Sequence, residues 1–320
     1  MNSIESIGTR VGALREQLDR VIIGQERVKT LALTSLLAGG HMLLEGVPGT
    51  GKTLLSLAMA RLLGCRFRRI QFTPDLMPAD LVGANVFNQK SQEFVFRAGP
   101  LFTDILLADE INRTPPRTQA ALLESMQENA ATVDGVRYPI SNVFTVFATQ
   151  NPVEFEGTYP LPEAQRDRFL LKINIDFPET ADEVRMLESY AAGQRLHDEV
   201  VGSLQPSMSA DELLEARRTI AAQVRVEPQI IRYIQDIVSR TRNDDAVQIG
   251  AGPRASLALL EASRAAAALQ GRDYITPDDV KSLVAPVLTH RVTLSPEAEM
   301  EGVALEDLLA RIFEQVEVPR

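Results

Sequence analysis

The sequence predicts an α/β fold, in which a parallel sheet of five strands carries helices on both faces and is followed by a smaller all-helical lid domain. Short apolar runs suited to buried strands alternate with helical patterns as far as residue 175. A glycine-rich loop at residues 46–53 stands between the first apolar run and a helix. After Pro178 only helical patterns follow, so we expect domains at residues 1–178 and 179–320.

Composition favours a globular protein of the cell interior. Hydrophobic residues make up 45% of the 320 positions, and the formal net charge of −10 disfavours a surface built to neutralise nucleic-acid phosphates. The single cysteine, Cys65, cannot form an internal disulfide and is expected to be a small buried residue. Neither a signal peptide nor an apolar run of membrane-spanning length is found, so we expect a soluble, cytoplasmic protein without a membrane span.

Two predicted helices, residues 4–21 and 26–38, lead to a strand at residues 41–45 and then to the glycine-rich loop. The loop fits the pattern G-x-x-x-x-G-K-[ST] and consists of Gly46, Val47, Pro48, Gly49, Thr50, Gly51, Lys52 and Thr53. Its glycines let successive backbone N–H groups face phosphate oxygens, and the next helix adds its positive dipole end. We predict a nucleoside triphosphate site in which Lys52 contacts the β and γ phosphates and Thr53 binds Mg²⁺.

The predicted nucleotide-binding set extends to both sides of this loop. Leu54 follows Thr53 at the start of the helix. Ile23 and Gly24 separate the two leading helices, and they are either part of a pocket for the base or a simple turn. The residues favour neither interpretation.

A second chemical stretch, residues 105–110, is an apolar run that ends in Asp109 and Glu110. A central parallel strand is buried on both faces, and ligands lie at its carboxyl end, so Asp109 should emerge beside the glycine-rich loop. We predict that Asp109 binds the metal and that Glu110 orients or deprotonates an attacking water.

The remaining strands and the elements between them follow in order. After strand 66–72, a short helix and a hairpin at residues 86–96 precede strand 105–110; a helix capped by Thr114 and a hairpin at residues 131–138 follow it. The strands at 143–148 and 169–175 complete the sheet. Asn151 follows the first of these two strands, where its amide could bind the γ-phosphate or the attacking water, or form an ordinary turn before proline.

Four arginines surround the second strand: Arg61, Arg66, Arg68 and Arg69. No aromatic residues interleave with them to stack bases, so we interpret the group as a solvated face or a subunit contact rather than a nucleic-acid site. In the lid, helices are predicted from Thr180, from Ser209, from Pro228, at residues 253–270, from Thr276 and at residues 303–316.

The chain resembles the MoxR family of AAA+ ATPases. The resemblance depends on the glycine-rich loop and on four further stretches: residues 107–116 (LADEINRTPP), 148–152 (ATQNP), 161–165 (LPEAQ) and 253–255 with 274–280 (PRA and YITPDDV). It covers nearly the whole chain, and the run Asp-Glu-Ile-Asn-Arg at residues 109–113 is its most specific part.

This resemblance implies a nucleotide-dependent, homo-hexameric ring with ATP or ADP and Mg²⁺ between subunits. It implies that Glu110 is the catalytic acid, that Asn151 is the sensor of the fourth core strand, and that each lid closes over its own subunit's nucleotide. Arg168 matches the arginine finger that reaches the neighbouring subunit, and Arg254 matches the second sensor. The two hairpins match inserts that face the ring pore, with ordinary edge hairpins as the alternative.

The sequence departs from the family pattern at Arg166, where the family commonly has an apolar residue, so either Arg166 or Arg168 could be the finger. The preferred function is a chaperone-like remodelling ATPase that acts on partner proteins, von Willebrand A domain proteins or metalloenzymes undergoing maturation among them. A nucleic-acid-dependent ring motor or loader is the first alternative, although no nucleic acid is expected. A small-molecule kinase is the second, disfavoured because the acid pair and the lid suit water as the acceptor.

Overall fold

The fold is described by a computed structural model that covers residues 3–151, 157–193 and 201–319. Its centre is a sheet of five parallel strands in the order β2–β5–β8–β1–β9. These strands are β1 (Met42–Glu45), β2 (Phe67–Gln71), β5 (Ile105–Asp109), β8 (Thr145–Gln150) and β9 (Leu171–Asn174). The predicted five-stranded parallel sheet is confirmed.

Two hairpins project from this sheet, as predicted. They are formed by β3 (Gly83–Asn88) with β4 (Glu93–Ala98), and by β6 (Ala130–Val133) with β7 (Val136–Pro139). The turn of the second hairpin has positive φ at both Asp134 and Gly135, the conformation that favours Asp-Gly in two-residue turns. The hairpins contact each other, since Phe96 stacks on Tyr138 with ring centroids 3.9 Å apart.

The helices of the first part surround the sheet. They are α1 (Ile4–Asp19), α2 (Glu26–Ala38), α3 (Lys52–Leu62), α4 (Pro78–Val82), a 3-10 turn (Ile111–Arg113), α5 (Pro116–Glu128) and α6 (Glu163–Arg166). Thr114 does not cap α5, because the helix begins at Pro116 with Pro115 in the N-cap position, and the Thr114 hydroxyl donates to the carbonyl of Thr73 at 3.2 Å. The predicted cap was therefore wrong, although the helix itself was predicted correctly.

The second part is a helical lid. Its helices are α7 (Thr180–Ala191), α8 (Val201–Ser203), α9 (Ala210–Gln223), α10 (Pro228–Arg240), α11 (Pro253–Leu269), α12 (Pro277–Leu288), α13 (Pro296–Met300) and α14 (Leu305–Glu314). The predicted capping box at Ser209 is present, because the Ser209 N–H donates to Glu212 Oε2 at 2.8 Å and the Glu212 N–H donates to the Ser209 hydroxyl oxygen at 3.2 Å.

The lid also contains two short strands that the sequence patterns did not reveal. β10 (Val247–Ile249) and β11 (Thr293–Leu294) pair antiparallel. Neither is long enough to show an alternating pattern. Their pairing joins the chain just before α11 to the chain just after α12, which positions the arginines described below.

Lid and sheet share buried apolar surface. One continuous cluster of buried residues contains Ile7 of α1, Leu44 of β1, Leu259 of α11 and Val287 of α12. A second cluster, with Phe72 and Phe169, lies on the other side of the sheet. Among the residues that the structure describes, no helix has both the length and the apolar character of a membrane span.

Candidate nucleotide site

The predicted phosphate loop connects the end of β1 to the start of α3. Gly51, the residue before α3, has φ +85°, a conformation that side chains with a Cβ rarely adopt, so a glycine is needed there. The ammonium of Lys52 donates to the carbonyls of Gly46 at 2.8 Å and Val47 at 2.7 Å. The lysine thus lies inside the curve of the loop, where phosphate oxygens would replace these carbonyls.

The loop forms one wall of a cleft of about 500 Å³. Most of the predicted site residues line this cleft: Gly46, Pro48, Gly49, Thr50, Gly51, Lys52, Thr53, Leu54, Asp109, Glu110 and Asn151. Partial burial lowers the pKa of Lys52, and the nearby Asp109 and Glu110 oppose that shift. The fold thus brings Lys52 and the two acids, which lie far apart in the sequence, to one edge of the sheet.

Asp109 is the last residue of β5, and Glu110 follows it. Glu110 leaves the strand in the left-handed region, with φ +56°, a strained conformation for a residue other than glycine that is typical of functional sites. The hydroxyl of Thr149 donates to Asp109 Oδ1 at 2.7 Å and accepts from the backbone N–H of Glu110 at 2.8 Å. Thr149 therefore fixes both acids, a function that the sequence analysis missed.

The strand next to β5 supplies two more contacts. Arg69 donates to Asp109 Oδ2 from Nη2 at 2.7 Å and from Nε at 3.1 Å, and Gln71 donates to Glu110 Oε2 at 2.6 Å. Arg69 thus lines the cleft with a half-exposed side chain, and the predicted solvated face or subunit contact stays a prediction. Arg66 likewise pairs with an acid, Asp104, at 3.0 Å.

Thr53 and Asp109 fit a magnesium site. Hydroxyl and carboxylate oxygens are the hard donors that Mg²⁺ prefers, and it usually keeps several waters and bridges to substrate phosphates. Both residues line the cleft beside the phosphate loop. Within the described ranges, no cluster of three or more His, Cys, Asp or Glu side chains suited to a metal is found.

Gly24 lines a second, neighbouring cavity of about 670 Å³, between α2, the end of β9 and the lid helices α7 and α12. The backbone of Gly24 has φ +68°, and a Cβ there would lie 1.9 Å from Asp182 of α7. Next to it, Gln25 donates to the carbonyl of Thr50 in the phosphate loop at 3.2 Å. Ile23 is half-buried just before this turn. The turn therefore connects the phosphate loop to a cavity of suitable size for a base.

The two predicted arginines lie together, outside the phosphate cleft. Arg168 and Arg254 line a recess of about 240 Å³ with Asp167, Met126 and Gln127. Arg254 is half-exposed and lies 3.6 Å from the carboxylate of Asp167. Arg168 donates from Nη1 to the carbonyl of Leu123 at 2.5 Å, and its Nε is buried without a hydrogen-bond partner among the described residues.

Fold and site define a P-loop nucleotide-binding protein with a helical lid. Residues 41–171 match the family described as "ATPase family associated with various cellular activities (AAA)", and residues 239–312 match the AAA lid domain. A crystal structure of a candidate ATPase from Cytophaga hutchinsonii superposes with a TM-score of 0.90 at 36% identity, covering 98% of this chain and 96% of that one.

Curated relatives give the finer classification. YeaC, an uncharacterised protein of Bacillus subtilis, is 44% identical over 98% of this chain and 97% of its own. Chaperone MoxR1 of Mycobacterium tuberculosis is 40% identical over 95% of this chain and 81% of its own. Protein MoxR of Methylorubrum extorquens is 33% identical over 95% and 93%. The chain belongs to the MoxR family of AAA+ ATPases, as the sequence resemblance predicted.

Proposed function

We propose that this protein hydrolyses ATP at sites shared between the subunits of a ring, and uses the cycle to remodel partner proteins. The observation that carries this proposal is the grouping of Arg168 and Arg254 in one recess that excludes the subunit's own phosphate loop. Arg168, whose buried Nε has no hydrogen-bond partner among the described residues, and the half-exposed Arg254 are both held apart from Lys52, Asp109 and Glu110. This placement suits contact with the nucleotide of another subunit. Neighbouring subunits in head-to-tail contact would close into a ring, expected to be a hexamer.

Each residue of the cleft has a distinct part in the proposed reaction. The loop N–H groups and Lys52 bind and orient the phosphates, while the turn at Ile23 and Gly24 borders the base. Mg²⁺ held by Thr53 and Asp109 would neutralise charge on the β and γ phosphates. Glu110 accepts a proton from the attacking water, and Asn151 positions that water or the γ-phosphate.

The arginine recess favours Arg168 over Arg166 as the finger, because Arg168 shares it with Arg254. Both cations would then reach the same neighbouring nucleotide, rather than Arg254 serving its own subunit. Positive charge placed at a transferring phosphoryl group accelerates the reaction by about 10³ to 10⁵. Hydrolysis would therefore depend on closure of the ring.

The chaperone-like part of the proposal is supported by the name of the Mycobacterium tuberculosis relative and by the first hairpin. Four of its side chains are exposed and apolar: Val86, Phe87, Phe94 and Val95. Such a surface suits contact with another protein. Von Willebrand A domain proteins and metalloenzymes undergoing maturation are the clients that the family membership favours.

Mixing two inactive variants tests the shared site. Lys52→Ala removes a subunit's own phosphate binding and keeps its arginines, whereas Arg168→Ala does the reverse. Neither variant alone should hydrolyse ATP, but a mixture should, since Lys52→Ala subunits supply arginines to Arg168→Ala neighbours. Full turnover by Arg168→Ala alone, or no recovery in mixtures that co-assemble, would contradict the proposal.

A further inference from the structure

The segment after α12 carries a buried arginine whose hydrogen bonds are all made. The side chain of Arg291 is 4% exposed. Its Nε donates to Asp167 Oδ1 at 2.8 Å. Nη1 donates to the carbonyls of Leu170 at 3.1 Å and Val287 at 2.6 Å, and Nη2 to those of Phe169 at 2.6 Å and Asp167 at 3.2 Å. A guanidinium has five N–H donors, and here every one has an acceptor.

Four of these five bonds reach one short stretch, residues 167–170, which contains the finger Arg168. The neighbouring lid residue adds a further bond, since the buried His290 contacts the carbonyl of Phe169 through Nε2 at 2.9 Å. Thr293 donates to Glu163 of α6 at 3.0 Å. The turn that contains Arg168, residues 167–170, is therefore held to the lid by hydrogen bonds.

The second arginine of the recess belongs to the same assembly. Asp167 faces Arg291 through Oδ1 and Arg254 through Oδ2. Arg254 stands on the first turn of α11, shortly after β10. β10 pairs with β11, which begins two residues after Arg291. We name Asp167, Arg254 and Arg291, together with Arg168, the arginine frame.

We propose that Arg291 is a positioning residue that holds Arg168 and Arg254 as one rigid pair attached to the lid. Movement of a subunit's lid then carries both cations towards or away from the neighbouring subunit's nucleotide. The inference rests on the proposed shared site. It adds the lid as the element that controls finger placement, through a residue that touches neither nucleotide nor metal.

An arginine is needed at this position because lysine offers only three donors from a single point. Arg291→Lys keeps the charge and most of the volume, but leaves carbonyls of the finger turn unbound. A misplacement of about 1 Å in a catalytic group can cost about 10²-fold in rate. We expect Arg291→Lys to lose hydrolysis by about that factor, with ATP binding unchanged.

The experiment compares Arg291→Lys with a matched variant of another buried arginine. Arg217 donates to the carbonyl of Leu36 and the hydroxyl of Thr145, and burial lowers its pKa to about 10. It lies where β8 begins, and its hydrogen bonds go to residues 36 and 145 rather than to residues 167–170, so Arg217→Lys tests the loss of a buried arginine that does not bond the finger turn. Each variant is assayed alone and mixed with Lys52→Ala, and binding of a fluorescent ATP analogue and thermal unfolding are measured in parallel.

We expect Lys52→Ala subunits to restore turnover to Arg291→Lys at roughly half of its sites in random equimolar rings, as for Arg168→Ala. Arg217→Lys should hydrolyse ATP in proportion to its folded fraction. Normal turnover by Arg291→Lys, or a loss that Lys52→Ala does not rescue although it rescues Arg168→Ala, would overturn the inference. If Arg168→Ala is not rescued either, the shared site fails, and this inference with it. If Arg291→Lys does not fold, Asp167→Asn, which keeps the shape of the frame, is tested in its place, and the same results would support or overturn the inference.

Discussion

The phosphate cleft and the arginine frame are organised in opposite ways. In the cleft, Lys52 is bonded to carbonyls of its own loop and Asp109 to Arg69, contacts that a nucleotide and its metal would replace. In the frame, Arg291 is buried with each donor paired. The side chains of the cleft can thus exchange their hydrogen bonds for bonds to a ligand, whereas the hydrogen bonds of the frame hold a fixed geometry. A site shared between subunits needs both kinds of region, because the cleft of one subunit must adapt to the nucleotide and the frame of the next must place its positive charges at that nucleotide.

Of the substitutions that test this difference between cleft and frame, Glu110→Gln is expected to have the largest effect on ATP turnover. Glu110→Gln keeps the shape and the contact with Gln71 Nε2 through its remaining oxygen, but it cannot accept a proton from water. A general base contributes about 10² to 10⁴ in rate, so turnover should fall by that factor while ATP binding remains. Single-turnover hydrolysis and equilibrium binding measure the two quantities. Equal losses of binding and hydrolysis would show that Glu110 is a binding residue instead.

Acid should weaken the packing that supports the frame more than the cleft. His290 belongs to the frame's surroundings, and burial lowers its pKa well below the ordinary value. His41 lies just before β1, at the edge of the sheet away from the cleft. Its Nε2 donates to the Met126 carbonyl, and its Nδ1 accepts from the Val146 N–H. Burial, with Arg217 adding to the effect, lowers its pKa from 6.5 to about 4. Neither histidine lines the cleft.

Both folded-state pKa values lie below the unfolded one, so the unfolded chain binds protons first. The stability they provide is complete above about pH 6.5 and is lost as the pH falls towards 4, by about 3 kcal/mol for His41 alone. Urea unfolding at pH 7.5, 6.0 and 5.0 measures it. A His41→Gln variant should start less stable and lose less between those values. A pH-independent urea midpoint for the wild type would contradict this prediction.

A smaller effect tests whether the cleft exchanges partners. Arg69→Ala removes the cation that donates to Asp109, so it should lower the Mg²⁺ concentration needed for half-maximal binding of a fluorescent ATP analogue, by about fivefold for a half-exposed contact of about 1 kcal/mol. Arg68→Ala is the matched control, because Arg68 is adjacent on β2 and points to the other face. A higher Mg²⁺ requirement for Arg69→Ala would mean that Arg69 assists nucleotide binding instead.

The same contrast explains what the sequence could predict. The cleft is encoded in contiguous stretches: the loop at residues 46–53 and the acids that end β5 are recognisable because parallel strands bring their carboxyl ends to one edge. Thr149 and Arg69 were missed because their roles depend on strand order, and β5 lies between β2 and β8. Nothing in a single stretch reports that order.

The frame is encoded in three distant stretches, and its contacts follow from packing alone. Arg168 and Arg254 were found by resemblance, whereas Arg291 gave no signal, since a lone arginine after a helix is ordinarily a surface residue. The strands β10 and β11, which join the stretches, have three and two residues. Strands this short show no alternation, so the lid was predicted as helices only.

Turnover per subunit as a function of protein concentration tests the central claim most directly, with the assembly state followed by sedimentation in the presence of ATP and Mg²⁺. If one subunit binds the triphosphate and the next supplies the arginines, hydrolysis per subunit should fall on dilution together with the assembled fraction. Residual activity of Arg168→Ala should be independent of concentration. Undiminished hydrolysis by a population that sediments as monomers would contradict the account.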